Sequence, residues 1–551
     1  MAPSAKLFFL AAFLATAWPH DANADKKTVC TITVNSADEK ETFRRYLPAD
    51  KFRFVELVER GRPDWLASAC QQHVRCDVLV ISGHYDGGHE FFSEHVEAQE
   101  FLPVDEMERV ACSDSCPGLF SQLKEVYLFG CNTLNPEARN GATAEVERTL
   151  VRSGVSRADA ERVARALSAR HGESARDRMR DIFKDVPAIY GFSSVAPVGP
   201  MAGSILARYF QSGGAGEIGS GRPSGRLLGT FGGHSLTVVS GLNGADPRAA
   251  HRQDVCQFAD DRLSAAQKLG FIHRLLGRDT AEVRMLFDRV DKYASSLSET
   301  ERRTSAVAQA LDEIASDETA RGRYLGFVRN TDAPAVRARM LALAQNLGWL
   351  SPAENRAELA RMIDEEIARN AVGPDDVDLV CALNNDGELD AELPRLHMAP
   401  AQAAKAPNAA VLACLGSPEG HARVVQALTS PSDDDVRIAQ VYLRHRPIAD
   451  VDELRAITAN VARMTNPSAQ IRALETLAQL GLSDRESLEE LARLFPFAGV
   501  GVQTAIAGVL IRADTKAIAN PELVQTLRQR RVKTASGADV LDVLLRRLEA
   551  R

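Results

Sequence analysis

Two apolar runs, each ending in a reactive side chain, constrain the fold of this chain more than any other feature. Asp77–His84 ends in a histidine, and Val126–Cys131 ends in a cysteine. Each run has the length and β-branched content of a buried parallel strand and stops in small residues that permit a sharp turn. The carboxyl ends of neighbouring parallel strands meet at one sheet edge, where ligands are handled. We therefore predict that His84 and Cys131 lie together there.

A histidine beside a cysteine is an arrangement suited to nucleophilic catalysis. The thiolate is the attacking group, and the imidazole serves as its base or as a proton donor. Either residue alone would more often be structural, since a lone cysteine is usually a small buried apolar side chain. Their joint placement after consecutive strands favours Cys131 as the nucleophile and His84 as its partner.

The segments around these residues resemble a known family. Ser82-Gly83-His84 and Gly130-Cys131-Asn132-Thr133 are similar to the catalytic pair of the caspase-like cysteine peptidases, which include caspases, gingipains, separase and CHAT-domain proteases. Caspases place the histidine about 50 residues before the cysteine, as here. Glu100–Met107 resembles the short strand and helix start of CHAT domains, and Tyr190–Val198 resembles a strand and loop of their substrate pocket. The resemblance covers roughly residues 28–243.

The resemblance implies a cysteine endopeptidase that needs no cofactor and acts on a protein or peptide. It implies that Cys131 attacks the scissile carbonyl and that His84 protonates the leaving amine. Backbone N–H groups of Gly83, Tyr85 and Cys131 would hold the oxyanion. Tyr85 stands where the family usually has glycine, so approach to that donor is expected to be tighter.

Several members of the resembled group cleave after basic residues. In these enzymes an acidic group lies in the pocket that binds the residue before the scissile bond. The resemblance therefore implies the same preference here. The insert 135–185 is rich in arginine and is a candidate for self-cleavage, although charged runs more often form solvated helices. Candidate pocket residues are the acidic side chains nearest the motifs and two serines after the next predicted strand: Asp77, Asp86, Asp105, Ser193 and Ser194.

Two other functions remain open from the sequence. The first is a catalytically inactive caspase-like scaffold for protein–protein interaction, suggested by Tyr85 in place of glycine and by an oxidising compartment. The second is a metal-dependent hydrolase. His84, Asp86 and His89, with His95 further along the chain, are residues of the types that ligate zinc. No His-Glu-x-x-His motif is formed, and this function would leave the cysteine strand without a role.

The first 24 residues have the layout of a secretory signal peptide. Lys6 supplies the positive charge, Leu7–Ala17 the apolar region, and Ala22-Asn23-Ala24 the cleavage site. This run is too short to span a bilayer, and no later stretch is long enough. We predict a soluble exported protein, periplasmic or extracellular in a bacterium.

Export places the nine cysteines in an oxidising setting, where pairing is the default. An odd number leaves at least one unpaired, and we expect this to be Cys131, because a nucleophile must remain a thiol. Cys112 and Cys116 lack a second zinc half-site, so a local or cross-loop disulfide is favoured over a zinc ligand role. Cys381 and Cys414 have the separation of neighbouring helical repeats.

Strands that alternate with helices predict an α/β, three-layer, parallel-sheet domain, caspase-like over residues 25–243. Residues 244–257 read as a polar linker, and 258–551 as an all-α region. The predicted strands are Val29–Val34, Phe52–Val58, Val78–Ser82, Val126–Phe129, Ala188–Phe192 and Leu236–Ser240.

Residues 258–551 also contain a weak repeat. Val336-Arg337, Val436-Arg437 and Ile471-Arg472 each follow an Asp- or Pro-containing turn early in a helix, which suits a unit of about 33 to 35 residues. This resembles a HEAT-like α-solenoid, whose surface could bind a protein partner. The net charge of −8 and the pI near 5.9 argue against a nucleic-acid partner.

Overall fold

The computed structural model describes residues 26–57, 66–93, 101–113, 116, 118–138, 141–369, 372–396, 398–512, 518, 521–530 and 539–550. The chain forms two compact units, residues 1–293 with 297–310, and residues 294–296 with 311–551. The predicted signal peptide, residues 1–24, lies outside the described residues, and so does His95.

The N-terminal unit is built on strands whose bounds match the apolar runs. They are β1 (Lys27–Thr33), β2 (Phe52–Glu56), β3 (Val78–Ser82), β4 (His84–Tyr85), β5 (Glu90–Phe92), β6 (Phe101–Pro103), β7 (Glu125–Phe129), β8 (Ala188–Phe192) and β9 (Leu236–Val239). A six-stranded sheet has the order β2-β1-β3-β7-β8-β9, and β4-β5-β6 form a small antiparallel sheet.

The six predicted strands are those of the main sheet, which confirms an α/β unit with a mostly parallel sheet. The pairs β1–β2, β1–β3, β3–β7 and β7–β8 are parallel. The parallel prediction is wrong for β9, which pairs antiparallel with β8. β9 is a half-buried edge strand, whereas β3 and β7 are buried throughout. An apolar run records burial, and burial does not specify strand direction.

Helices cover both faces of the sheet. Those that pack on it are α1 (Asp38–Tyr46), α2 (Ala67–Gln71), α3 (Val104–Cys112), α6 (Ala175–Ile182), α7 (Gly199–Gln211) and α8 (Gly225–Thr230). The other helices of residues 142–296 are α4 (Ala142–Arg152), α5 (Arg157–His171), α9 (Ala249–Ala259), α10 (Ala265–Leu276) and α11 (Thr280–Ser296). On β3, Leu79 packs with Met107 of α3, while the alternate residue Val80 packs with Phe43 of α1. This alternation makes a three-layer unit.

The stretch 244–257, predicted as a linker, belongs to the N-terminal unit, and most of it is helical in α9. Three of its polar side chains, those of Arg248, His251 and Asp254, are buried. Arg248 forms an ion pair with Asp181, and Asp254 accepts hydrogen bonds from Arg278 at 2.6 and 2.9 Å. The boundary between the units therefore lies near residues 293–311, further along the chain than the polar composition indicates.

Eight cysteines form four pairs. They are Cys30–Cys76, Cys70–Cys116, Cys112–Cys256 and Cys381–Cys414. Cys131 is the free cysteine, as predicted. Cys381 and Cys414, which have the separation of neighbouring helical repeats, form a disulfide. Cys112 and Cys116 each bond to a distant partner and not to one another. Several disulfides are compatible with an exported protein.

The C-terminal unit is helical. α12 (Glu299–Arg302) still belongs to the N-terminal unit, and α13 (Ser305–Ala315) spans the boundary between the units. The helices that follow are α14 (Glu318–Asn330), α15 (Pro334–Asn346), α16 (Pro352–Ala368), α17 (Pro374–Leu383), α18 (Pro400–Ala403), α19 (Ala406–Cys414), α20 (Pro418–Ala427), α21 (Asp433–His445), α22 (Val451–Ala462), α23 (Pro467–Gln479), α24 (Arg485–Leu494), α25 (Val500–Leu510), α26 (Pro521–Arg530) and α27 (Val540–Glu549). Helices α17, α21, α23 and α25 contact one another in sequence, and α22 contacts α24. Across the ranges described above, no helix is long and apolar enough to cross a membrane.

Candidate active site

His84 and Cys131 come together at the carboxyl edge of the main sheet. β3 and β7 are adjacent and parallel, and Ser82 pairs with Phe129 at the last rung. His84 and Cys131 each follow two residues beyond that rung. Both side chains line one cavity of about 750 Å³, so the sheet brings the predicted pair to a single site.

Glycines before both residues allow the two strand ends to approach closely. A Cβ atom on Gly130 would lie 2.8 Å from the carbonyl oxygen of Gly83 and 3.0 Å from Cβ of Tyr85. Real Cβ atoms do not tolerate such contacts, so a side chain at position 130 would force the strand ends apart. The small residues in the two motifs are therefore required by packing at the site.

The Cys131 thiol is held at the tip of a fixed turn. Asn132 adopts a left-handed conformation with φ of 60°, which asparagine tolerates better than most residues. Its N–H donates to the Ser194 carbonyl at 2.7 Å. The buried Thr133 hydroxyl donates to the Gly130 carbonyl at 3.2 Å and accepts from the Phe192 N–H at 3.0 Å. These bonds leave Cys131 half-buried and facing the cavity.

One backbone donor points at the sulfur. The Ala196 N–H donates to Cys131 Sγ at 3.3 Å. Ala196 belongs to the loop after β8, so Cys131 is contacted from a third strand end.

The predicted oxyanion donors need one correction. The Gly83 N–H donates to the Phe129 carbonyl at 3.1 Å, because it continues the β3–β7 ladder, so it is not available to a substrate. The Cys131 N–H has no acceptor within the described part of the chain. Tyr85 is buried against Phe91, with ring centroids 4.8 Å apart, and its side chain does not line the cavity.

None of the three predicted acidic pocket residues lines the cavity that holds Cys131. Asp77 lies at the opposite end of β3, where it accepts from the Thr28 N–H at 2.7 Å. β3 is five residues long, so roughly 16 Å separates its two ends. Asp105 pairs with Arg178 at 2.7 Å. The structure therefore places these residues away from Cys131, because proximity in sequence to a motif does not decide where in the fold a side chain lies.

Asp86 and the two serines have local roles. Asp86 accepts from the N–H groups of Gly88 and His89 at 2.9 and 2.7 Å, which fixes the turn between β4 and β5. It lines a second cavity of about 340 Å³. Ser193 and Ser194 bond to Ser235 through their N–H groups, both at 3.0 Å. They support the loop that begins at residue 195 and lines the first cavity.

Two acidic residues that the sequence analysis missed do line the cavity. Asp38 and Glu39 begin α1, directly after β1. Asp38 is exposed and accepts from the Ser36 hydroxyl at 2.7 Å, whereas Glu39 is only 3% exposed. Burial raises the pKa of Glu39 to about 7. β1 neighbours β3 in the sheet, so the signal for these residues was their position after a strand that ends at the same edge.

The residues of the alternative metal site are divided between two places. His84 lines the first cavity, while Asp86 and His89 line the second. Within the ranges that the structure covers, no group of three or more His, Cys, Asp or Glu side chains could hold a metal ion.

The sequence matches no protein-family model, and comparison with curated proteins and with solved structures finds no match. Function must therefore be inferred from the residues of the cavity themselves.

Proposed function

We propose that the N-terminal unit is a caspase-like cysteine endopeptidase with Cys131 as nucleophile and His84 as its acid–base partner. One observation carries this proposal: a free thiol and an imidazole follow adjacent parallel strands and line one cavity, while the other eight cysteines are paired. The order of the motifs, with the histidine after the third main-sheet strand and the cysteine after the fourth, supports the likeness to the caspase-like group over residues 25–243.

The reaction would run through a thioester. Cys131 Sγ bonds to the scissile carbonyl carbon, the C–N bond breaks, and the thiol proton passes through His84 to the leaving amine. Water then attacks the thioester, which releases the carboxylic acid product and restores the thiol. The Cys131 N–H is the available donor for the negative oxygen of each tetrahedral intermediate.

The C-terminal unit would serve as a HEAT-like docking region in an exported enzyme. Contacts between alternate helices, from α17 through α21 and α23 to α25 with α22 against α24 on a second row, support a repeat of helix pairs. Such arrays present extended surfaces, so a protein substrate or partner is the natural ligand. The disulfides support export to the periplasm or beyond the cell.

A thiol-directed probe tests the dyad. The mature protein, treated with peptidyl acyloxymethyl ketones that carry acidic, basic or apolar side chains before the warhead, should gain one adduct, located on Cys131 by mass spectrometry. His84→Gln should slow labelling at least tenfold, because the imidazole no longer draws the proton from the thiol. His89→Gln is the matched control, since His89 lines the other cavity, and should label like the wild type.

Two results would overturn the proposal. An adduct that persists in Cys131→Ser would place the reactive group elsewhere. Failure of every probe to label the folded, mildly reduced wild type would favour the inactive scaffold.

A further inference from the structure

The cavity at Cys131 is negatively charged. Its lining includes the acidic residues Asp38 and Glu39, and none of the lining residues, all of which the structure describes, is lysine or arginine. Apart from these two acids, Asn35, Ser36, Phe129, His84 and Cys131, the lining consists of glycine, proline, alanine and valine. A group that enters such a space is favoured if it carries positive charge.

Glu39 is a buried acid with no cation beside it among the described residues. Its carboxyl group interacts with the hydroxyl groups of Ser82 and Ser36, and one of its oxygens, Oε2, is buried without a close hydrogen-bond partner. Burying an unpaired polar group costs free energy. A cationic group that enters the cavity would supply the missing partner for the carboxylate and offset that cost.

The rim of the cavity is apolar and stiff. Val195 and Val198 are 71% and 63% exposed, which is unusual for large apolar side chains. Pro197 lies in the same loop and Pro200 in the first turn of α7, and their rings restrict the backbone. Lysine and arginine carry a charged end on an aliphatic stem, so valines at the rim and a carboxyl group below them match both parts of such a side chain.

We propose that this cavity receives the arginine or lysine that precedes the scissile bond, with Glu39 as the residue that determines this specificity. The inference rests on the proposed peptidase function and names its substrate class. It assigns the role to a residue after β1, and not to Asp77, Asp86 or Asp105, which lie elsewhere. Asp38 at the cavity mouth adds negative charge but is exposed to solvent, so its contribution is screened.

The charge on Glu39 links this specificity to pH. With a pKa of about 7, the free carboxyl group is largely neutral at pH 6 and largely ionised at pH 8, and only the ionised form attracts a cation. The titratable groups around it are Asp38 on its own helix and His84 and Cys131 across the cavity. His84 and Cys131 act on every substrate, so any pH dependence that they cause cancels in the ratio of kcat/KM for two substrates.

A matched pair of peptides measures that ratio. The two peptides differ only in arginine or its neutral isostere citrulline before the scissile bond. At pH 8 the full-length protein should cleave the arginine peptide with at least tenfold higher kcat/KM, and this ratio should fall toward pH 6. Glu39→Gln should lower kcat/KM for arginine about 10- to 100-fold, the loss expected for a hydrogen-bonded charge pair. It should leave citrulline within about threefold and make the ratio independent of pH.

The control is Glu41→Gln, the same substitution on the same helix at an exposed residue outside the cavity, and it should behave as the wild type. An arginine-to-citrulline ratio that is unchanged in Glu39→Gln would overturn the inference. If probes label Cys131 but arginine is not preferred, this inference fails and the peptidase proposal stands. If no probe labels Cys131, the peptidase proposal fails.

A binding measurement gives an answer that does not depend on turnover. Agmatine, which carries the arginine side chain alone, should bind Cys131→Ser and release protons near pH 6.5, because binding favours the ionised Glu39. Calorimetry in two buffers of different ionisation enthalpy measures this release. Adding Glu39→Gln should abolish both the binding and the proton release. Agmatine binding that is equal with and without Glu39 would contradict the proposed role.

Discussion

Glu39→Gln should change how the stability of the N-terminal unit depends on pH. The folded protein holds the Glu39 proton more tightly than the unfolded chain does, because burial raises the pKa of the carboxyl group from 4.5 to about 7. The wild type should therefore be most stable, with respect to this group, below pH 4.5 and lose stability as the pH rises to about 7. A pKa change of this size corresponds to about 3 kcal/mol.

Glutamine has the same shape and does not titrate, so the variant should lack this loss. Relative to the wild type, Glu39→Gln should gain about 3 kcal/mol between pH 4.5 and pH 8. Urea unfolding at both pH values, followed by hydrogen exchange of peptides from β1, α1 and β3, measures the free energy of unfolding of this unit. Any pH-independent cost of the substitution cancels in the difference.

The control is again Glu41→Gln, whose free energy of unfolding should run parallel to that of the wild type at every pH. Parallel curves for Glu39→Gln and the wild type would refute the conclusion that Glu39 is buried and holds a raised pKa. That result would also remove the physical basis for a pH-dependent substrate preference.

Two further predictions concern packing and acid stability. Gly130→Ala should destabilise the N-terminal unit by about 1 to 3 kcal/mol, because the added carbon meets a backbone oxygen at 2.8 Å; Gly88→Ala, at a position with open space, should cost far less in the same urea experiment. His171 contacts His251 at 3.0 Å in a buried pair, and burial followed by the charge of a nearby arginine lowers its pKa from 6.5 to about 4. Stability should fall as the pH drops from 6.5 to 4, since the unfolded chain takes up the proton first, and His171→Asn should flatten that fall by about 3 kcal/mol.

The main sheet was predictable because burial on both faces leaves a strong signal. β3 and β7 are buried throughout, are mostly apolar, and are each followed by a glycine, so both their existence and the meeting of His84 with Cys131 followed from the pattern. The apolar pattern does not indicate the direction of β9 or the order of the strands in the sheet. Glu39 could be identified as a cavity residue only once β1 was known to lie beside β3, because other acids are closer to the motifs in sequence.

Local polar signals were less reliable than apolar ones. The pattern Ser-x-x-Glu forms a capping box at Ser298 and at Ser351. The same pattern at Ser483 does not, because Asp484, one residue later, caps α24, and either side chain can accept the same kind of hydrogen bond. The polar composition of residues 244–257 is ambiguous for a related reason. Composition cannot distinguish a polar residue in water from one such as Arg248 that is buried in an ion pair.

The most direct test of the peptidase proposal is peptide-bond cleavage itself. The full-length mature protein, incubated with a mixed peptide library under mild reduction, should generate new N-termini that mass spectrometry identifies, and these should be absent from the Cys131→Ser sample. Turnover by His84→Gln should fall at least a hundredfold, in keeping with the loss of a general acid–base group. Identical cleavage by the wild type and Cys131→Ser, or no cleavage of any peptide by protein that retains its fold, would contradict the assignment of the dyad.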